Sequence, residues 1–120
     1  MDTAFKGQLD FRWEVIPKLT KKALDIAVMK VIAVSQRGRK RDFFDLYWCA
    51  HNLEPLEQII SRLKRQYPSV SHDYHHIIKS LAYFEDAESD PSPVLHFDVS
   101  WEKVKKFFIE EVKRIAFNYV

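Results

Sequence analysis

The chain has 120 residues, of which 47% are hydrophobic and 30% charged, and its formal net charge is +2. These values exclude an intrinsically disordered chain, which would have fewer apolar residues and a larger net charge. They also exclude a polycation that binds nucleic acid over its whole surface, so any such binding has to come from a local cluster of charges.

Length and residue usage indicate a single, mainly helical domain over residues 1–120. A chain of this size is long enough to bury a core, and its two glycines are fewer than a sheet-rich fold needs for its turns. Cys49 is the single cysteine, which rules out a disulfide within the chain and favours a reducing compartment. The N-terminus lacks the apolar core of a signal peptide, and the apolar stretches are too short to span a bilayer. We therefore expect a cytoplasmic protein with no membrane partner.

The first predicted element is a β-strand at residues 9–16, LDFRWEVI. Apolar and polar residues alternate there, as they do in a half-buried strand. One strand is not stable alone, and its edges must be covered by a missing sheet or by a second chain. A homodimer that pairs two such strands is one expectation. Residues 1–18 are then the strand and its lead-in, and residues 19–120 the helical portion.

About five helices are predicted after this strand. The first runs from a Thr20 cap to about Ser35, and others cover residues 40–51, 55–67 and 73–84. Residues 85–93, EDAESDPSP, are acidic and contain two prolines, which predicts a loop. Ser100 then caps the last helix. The short connections predict an antiparallel bundle preceded by the single N-terminal strand.

Lys30 interrupts the first predicted helix, which is otherwise apolar on nearly all sides and is expected to be buried on nearly all sides. A buried ammonium group is costly unless it is paired. Two interpretations stay open: Lys30 lies in a cleft and meets an anion such as a phosphate, or its side chain extends along the helix to reach water.

Four cations surround Gly38 in the turn between the first two helices: Arg37, Arg39, Lys40 and Arg41. They could bind a phosphate group or an RNA backbone, or they could form a solvated basic turn. Gly38 itself predicts a helix end or a turn with positive φ.

Asp42 and Asp45 are three residues apart, so they share one face of the second helix. They could orient a basic group or bind a divalent metal, or they could complement Arg39 and Arg41 near the helix start. The histidines at 72, 75 and 76 lack the accompanying ligands of a zinc site, so no metal site is predicted. Cys49 is expected to be a small buried hydrophobe.

Several motifs occur in order along the chain. Residues 24–49, LDIAVMKVIAVSQRGRKRDFFDLYWC, contain D-I-A-x-M-K, then R-G, then R-D-F-x-D-L-Y. Residues 75–95 contain K-x-L-x-Y-F-x-D-A-E-x-D-P-x-P, and residues 100–108 read SWEKVKKFF. Together, over about residues 9–115, the chain resembles the AbiEii/AbiGii family of nucleotidyltransferase toxins of bacterial toxin–antitoxin and phage-defence systems.

The resemblance implies a catalytic palm related to polymerase β, followed by a helical portion. It implies that Lys30 faces the nucleotide phosphates, that Asp42 and Asp45 belong to the same active site, and that Asp10 is an acid of the last palm strand. The family's palm carries a G-S motif and a D-x-D pair that hold the magnesium ions and the nucleoside triphosphate. Neither motif occurs in this sequence.

We therefore predict a truncated or split nucleotidyltransferase that is inactive alone and that needs Mg²⁺ and a nucleoside triphosphate once a palm completes it. Its expected partners are a separately encoded palm half or an antitoxin. The alternative is a helical interaction module that binds RNA, such as tRNA, or a partner protein.

Overall fold

A computed structural model describes residues 17–68, 73–95 and 97–119 of the chain. Within these ranges there are six helices and no β-strand. The helices are α1 (Pro17–Arg37), α2 (Lys40–Asn52), α3 (Leu56–Gln66), α4 (Tyr74–Ser80), α5 (Glu85–Glu88) and α6 (Trp101–Tyr119). The predicted strand at residues 9–16 and its Asp10 lie outside the described residues.

The mainly helical prediction is confirmed, and each of the five predicted helices is present. Two boundaries in the second half of the chain are corrected. α4 ends at Ser80 rather than at Phe84, and the predicted loop at 85–93 begins with the one-turn helix α5. This turn forms because the Phe84 carbonyl accepts hydrogen bonds from the amides of Ala87 and Glu88, both at 2.9 Å.

α1 is buried on one side only, so the prediction that it is covered on nearly all sides is wrong. Its buried side chains follow a helical stripe: Ala23, Ala27, Val28, Val31 and Val34. α2, α3 and α4 pack against α1. Ile26 and Met29 remain 48% and 57% exposed. The helix also starts at Pro17 rather than after Thr20, because proline suits the first helical position.

Gly38 connects α1 to α2 in a conformation that does not need a glycine for its backbone angles. Gly38 directly follows the end of α1, as predicted, but no described glycine has a positive φ, so the alternative of a left-handed turn is wrong. Space is the reason instead: a Cβ at Gly38 would lie 2.9 Å from Cε2 of the Phe43 ring. The missing side chain lets the start of α2 close onto the end of α1.

The aromatic core joins α2 to α6. Phe43 is fully buried, and its ring centroid lies 5.2, 5.8 and 5.4 Å from those of Phe84, Trp101 and Phe108. Burial of a phenylalanine side chain contributes about 1.5 to 3 kcal/mol, and such ring pairs add to it. This cluster fixes α2, and with it the acidic face that meets α1.

Within the described residues, two helices are capped by the side chain of the residue directly before them. Asp73 Oδ1 accepts a hydrogen bond from the His76 amide at 3.1 Å at the start of α4. Ser100 Oγ accepts from the Lys103 amide at 3.1 Å, which confirms the predicted cap of α6. Over the described part of the chain, no helix combines the length and the apolar character needed to cross a membrane.

Candidate functional site

Lys30, Asp42 and Asp45 form one ionic cluster between α1 and α2, which we call the acid–lysine group. Lys30 Nζ lies 2.9 Å from Asp42 Oδ1 and 3.1 Å from Asp45 Oδ2. The lysine comes from the middle of α1, and the two acids come from the first turns of α2. The tight connection at Gly38 and the three-residue spacing of the acids bring all three charges together.

The acid–lysine group is partly open to solvent. The side chains of Lys30, Asp42 and Asp45 are 25%, 16% and 37% exposed. Ile26 lies one turn before Lys30 on the same side of α1, and it is exposed too. Lys30 is therefore neither fully buried nor fully exposed, and both interpretations of this lysine stay predictions.

The two carboxylates keep Lys30 charged. Burial lowers the pKa of the Lys30 ammonium group, but hydrogen bonds to Asp42 and Asp45 and the charges of both acids outweigh it, so the pKa lies above 10.5. An ammonium group has three donors, and the acids accept from two of them. One N–H remains to contact another acceptor.

Asp90 organises a second ionic cluster at the start of α2, which we call the cap group. Arg39 is the residue before α2, and its side chain makes no capping hydrogen bond. Asp90 Oδ2 accepts a hydrogen bond from the Lys40 amide at 3.0 Å instead. Asp90 Oδ1 also accepts from Arg39 Nη2 at 2.6 Å. The acid arrives from the loop after α5, fifty residues further along the chain. It satisfies an N–H that would otherwise lack a partner.

The four predicted phosphate-binding cations have different surroundings. Arg39 is paired with Asp90, and Lys40 is buried with its Nζ 5.3 Å from the centroid of Trp101. Arg41 lies 4.0 Å from Asp45 and is 74% exposed. Arg37 is exposed at the end of α1. Three of the four cations thus contact other side chains of the described residues, the contact of Arg41 being the longest of the ion pairs.

A family model for the nucleotidyl transferase AbiEii toxin of type IV toxin–antitoxin systems matches residues 14–119. The chain belongs to the AbiEii family. The resemblance inferred from the motifs is thereby confirmed, and the match covers the acid–lysine group, the cap group and α6.

One relative of this AbiEii chain is the uncharacterized protein aq_aa25 of Aquifex aeolicus (strain VF5). The two are 38% identical over 100 residues, which is 78% of this chain and 44% of the Aquifex protein. The chain thus spans less than half the length of that relative. No solved structure matches the chain.

The described residues of the AbiEii chain offer no cluster of three or more His, Cys, Asp or Glu side chains that could hold a metal ion. His76 Nε2 lies 3.0 Å from the Ser35 carbonyl oxygen and donates to it, which ties α4 to the end of α1. Cys49 is buried, as predicted, and burial with the Asp45 charge raises the pKa of its thiol to about 12. A thiol in this state is a poor nucleophile and metal ligand.

The motif at residues 85–93 contains two acids whose partners the sequence did not reveal. One is Asp90, described above. The other is Glu88, which accepts from Lys105 Nζ at 2.8 Å and from Trp101 Nε1 at 2.9 Å. These hydrogen bonds hold the pKa of the Glu88 carboxyl below its usual range. Asp90-Pro91 is a signal for a local turn, but no local signal could have linked Asp90 to a helix start fifty residues earlier.

Proposed function

We propose that this chain supplies the phosphate-facing lysine of a nucleotidyltransferase toxin, and that transfer requires paired metal-binding acids from a palm. The observation that carries the proposal is a charged Lys30 held by Asp42 and Asp45 in a partly open position. Membership of the AbiEii family supports a nucleotidyltransferase-like role in a toxin–antitoxin system.

Lys30 acts by contacting a phosphate oxygen with its remaining N–H. Asp42 and Asp45 orient the ammonium group and keep it protonated, so the donor is in place before the nucleotide arrives. Such a contact stabilises the negative charge of the phosphates during transfer, which is the main task of a protein in phosphoryl-type chemistry. The two acids are therefore positioning residues in this scheme.

The acid–lysine group cannot recruit a triphosphate by itself. With Arg41 lying 4.0 Å from Asp45, two carboxylates and two cations sum to zero, so the group has no net positive charge with which to attract a triphosphate. A magnesium ion does not fit there either, because both acids already face the Lys30 cation. Bound magnesium would neutralise the triphosphate and help to align it, and in the AbiEii resemblance it belongs with the D-x-D pair.

Exposed apolar residues of α1 offer a surface on which a palm with the metal-binding acids could pack. Ile26 and Met29 are 48% and 57% exposed, and they flank the acid–lysine group on α1. A palm that packs on them would bury their side chains and close the site over Lys30. An antitoxin that binds the same surface would block it.

The experiment measures the transfer of radiolabel from each of the four nucleoside triphosphates to RNA and to protein, with magnesium. One arm uses the purified chain alone. The other uses a chimera in which residues 14–119 replace the matching region of a family member that carries the G-S and D-x-D motifs. We expect transfer by the chimera and none by the chain alone. Turnover by the chain alone would refute the need for a palm, and an inactive, folded chimera would refute the role of this helical portion.

A further inference from the structure

A cavity of about 580 Å³ lies between the end of α1 and the turn that joins α4 to α5. Arg37 lines it from α1, and His76, Lys79, Tyr83 and Asp86 line it from the other side. Its volume is in the range of small-ligand sites. No member of the acid–lysine group lines it, so it is a separate feature of the surface.

The cavity holds two cations that no described carboxylate pairs with. Arg37 and Lys79 are exposed, and within the described ranges neither makes an ion pair. Some cations at other surface cavities are paired, by contrast: Lys105 contacts Glu88, and Arg114 contacts Glu57 and Glu111. Asp86 is the one acidic side chain in the lining, and Glu85 lies beside it, bonded to Tyr83, so the site has no net excess of charge; its two cations can nevertheless turn to an anion because neither is held in an ion pair.

Two hydrogen bonds hold the rim of the cavity in shape. His76 Nε2 donates to the Ser35 carbonyl at 3.0 Å, which keeps α4, and therefore Lys79, beside the end of α1. Tyr83 Oη donates to Glu85 Oε1 at 3.1 Å, while the tyrosine side chain stays 53% exposed. Tyr83 also lines the cavity, so a ligand bound there can reach its ring.

We propose that this cavity binds one nucleotide unit of a single-stranded nucleic acid, with its phosphate at Arg37 and Lys79 and its base stacked on Tyr83. Cations that follow the backbone, together with an aromatic ring that accepts any base, are the means by which proteins bind single strands. A free nucleotide offers the same phosphate chemistry but lacks the neighbouring phosphates of a strand. Binding here needs neither Lys30 nor magnesium, so it can be tested apart from nucleotidyl transfer.

The test measures the binding of the full chain to a fluorescein-labelled single-stranded RNA of about ten nucleotides, a length within the usual site sizes, by fluorescence anisotropy over a range of salt concentrations. We expect Arg37→Gln and Lys79→Met each to weaken binding about five- to tenfold at low salt. Each should also lower the slope of log K against log salt by about 0.7, the value for one phosphate contact with a single strand.

Three further variants give the test its controls. Tyr83→Ala should weaken binding about tenfold with an unchanged salt slope, because stacking does not release counterions. Asp86→Asn should tighten binding about twofold, because it removes a repulsive charge. Lys22→Met, in an exposed lysine about 22 Å before Arg37 along α1, should change nothing.

Unlabelled inorganic phosphate and adenosine monophosphate, added as competitors, separate a strand site from a free-phosphate site. Weak competition by both, well above the RNA dissociation constant, supports a strand site. Either competitor matching the RNA in affinity would overturn it. The proposal would also be overturned if Arg37→Gln and Lys79→Met changed the RNA affinity no more than Lys22→Met does. An Arg37→Gln variant with a lower melting temperature and unchanged RNA affinity would overturn it too, because Arg37 would then only complement the α1 dipole.

Discussion

The acid–lysine group and the cap group lie at the start of the same helix, and both pair aspartates with cations. Their aspartates nevertheless hold different groups in place. In the cap group, Asp90 is 12% exposed and bonds both a backbone N–H and Arg39. In the acid–lysine group, Asp42 and Asp45 are 16% and 37% exposed, and both contact the ammonium group of Lys30. The acid that accepts from the backbone N–H holds the fold, whereas the two acids of the acid–lysine group hold a cation.

The largest expected effect separates the two groups by activity. In the active chimera, Lys30→Met should lower the rate of transfer about 10²- to 10³-fold, because one preorganised electrostatic contact to the phosphates is lost. Arg39→Gln should stay within about threefold of the parent, because Arg39 only supports the cap. Steady-state transfer rates with magnesium and saturating nucleotide give the measurement. Equal losses in both variants would erase the distinction, and Lys22→Met controls for the loss of a lysine.

A second prediction concerns the connection on which both groups depend. Gly38→Ala should lower the free energy of unfolding by about 1 to 3 kcal/mol, because the new Cβ forces the Phe43 ring to move. The double variant Gly38→Ala with Phe43→Leu should lose less than the sum of the two single variants, because leucine vacates the space that the ring occupies. Urea unfolding of all four proteins forms the cycle. If the two losses simply add, the clash of an added Cβ with the Phe43 ring, at 2.9 Å, is not the reason for a glycine at this position.

The third prediction isolates the cap. Asp90→Ala should destabilise the chain by about 0.5 to 2 kcal/mol, the usual cost of losing a helix cap. Asp98→Ala, at an exposed aspartate, is the matched control and should change stability by less than about 0.5 kcal/mol. Thermal unfolding followed by circular dichroism compares them. A loss at Asp98 equal to that at Asp90 would argue against the cap.

The smallest effect is a pH dependence at Lys30. The folded protein raises the pKa of this lysine above 10.5, so its contribution to stability is complete below that pH and is lost as pH rises through the folded-state value. The difference in unfolding free energy between the parent and Lys30→Met should stay constant from about pH 8 to 10 and then shrink. Urea unfolding across this range measures it. A difference that persists unchanged at about pH 12 would contradict the sign of the shift.

The sequence predicted the helices well because their signals are local. The stripe Leu56, Ile59, Ile60 and Leu63 is buried in α3 as its spacing requires, and Ser100 caps α6. The one-sided burial of α1 could not be read in this way. Its apolar residues surround the helix, and only the positions of α2, α3 and α4 decide that Ile26 and Met29 stay exposed.

Within the candidate site, the sequence could suggest that Lys30 and the two acids converge. It could not distinguish the surroundings of the four cations in the basic turn. Arg37, Arg39, Lys40 and Arg41 look alike in sequence, and their roles depend on Asp90 and Trp101, which lie far along the chain. Gly38 shows the same limit. A glycine in a turn suggests positive φ, whereas its actual constraint is the ring of Phe43.

The most direct test of the central claim asks whether Lys30 faces phosphate. Calorimetric titration of the chimera, and of its Lys30→Met variant, with a magnesium nucleoside triphosphate and with the matching nucleoside gives four dissociation constants. We expect the variant to lose about tenfold in affinity for the triphosphate, as for one charge-assisted contact, and to bind the nucleoside unchanged. An equal loss for both ligands, or no loss for either, would contradict the assignment of Lys30 to the phosphates.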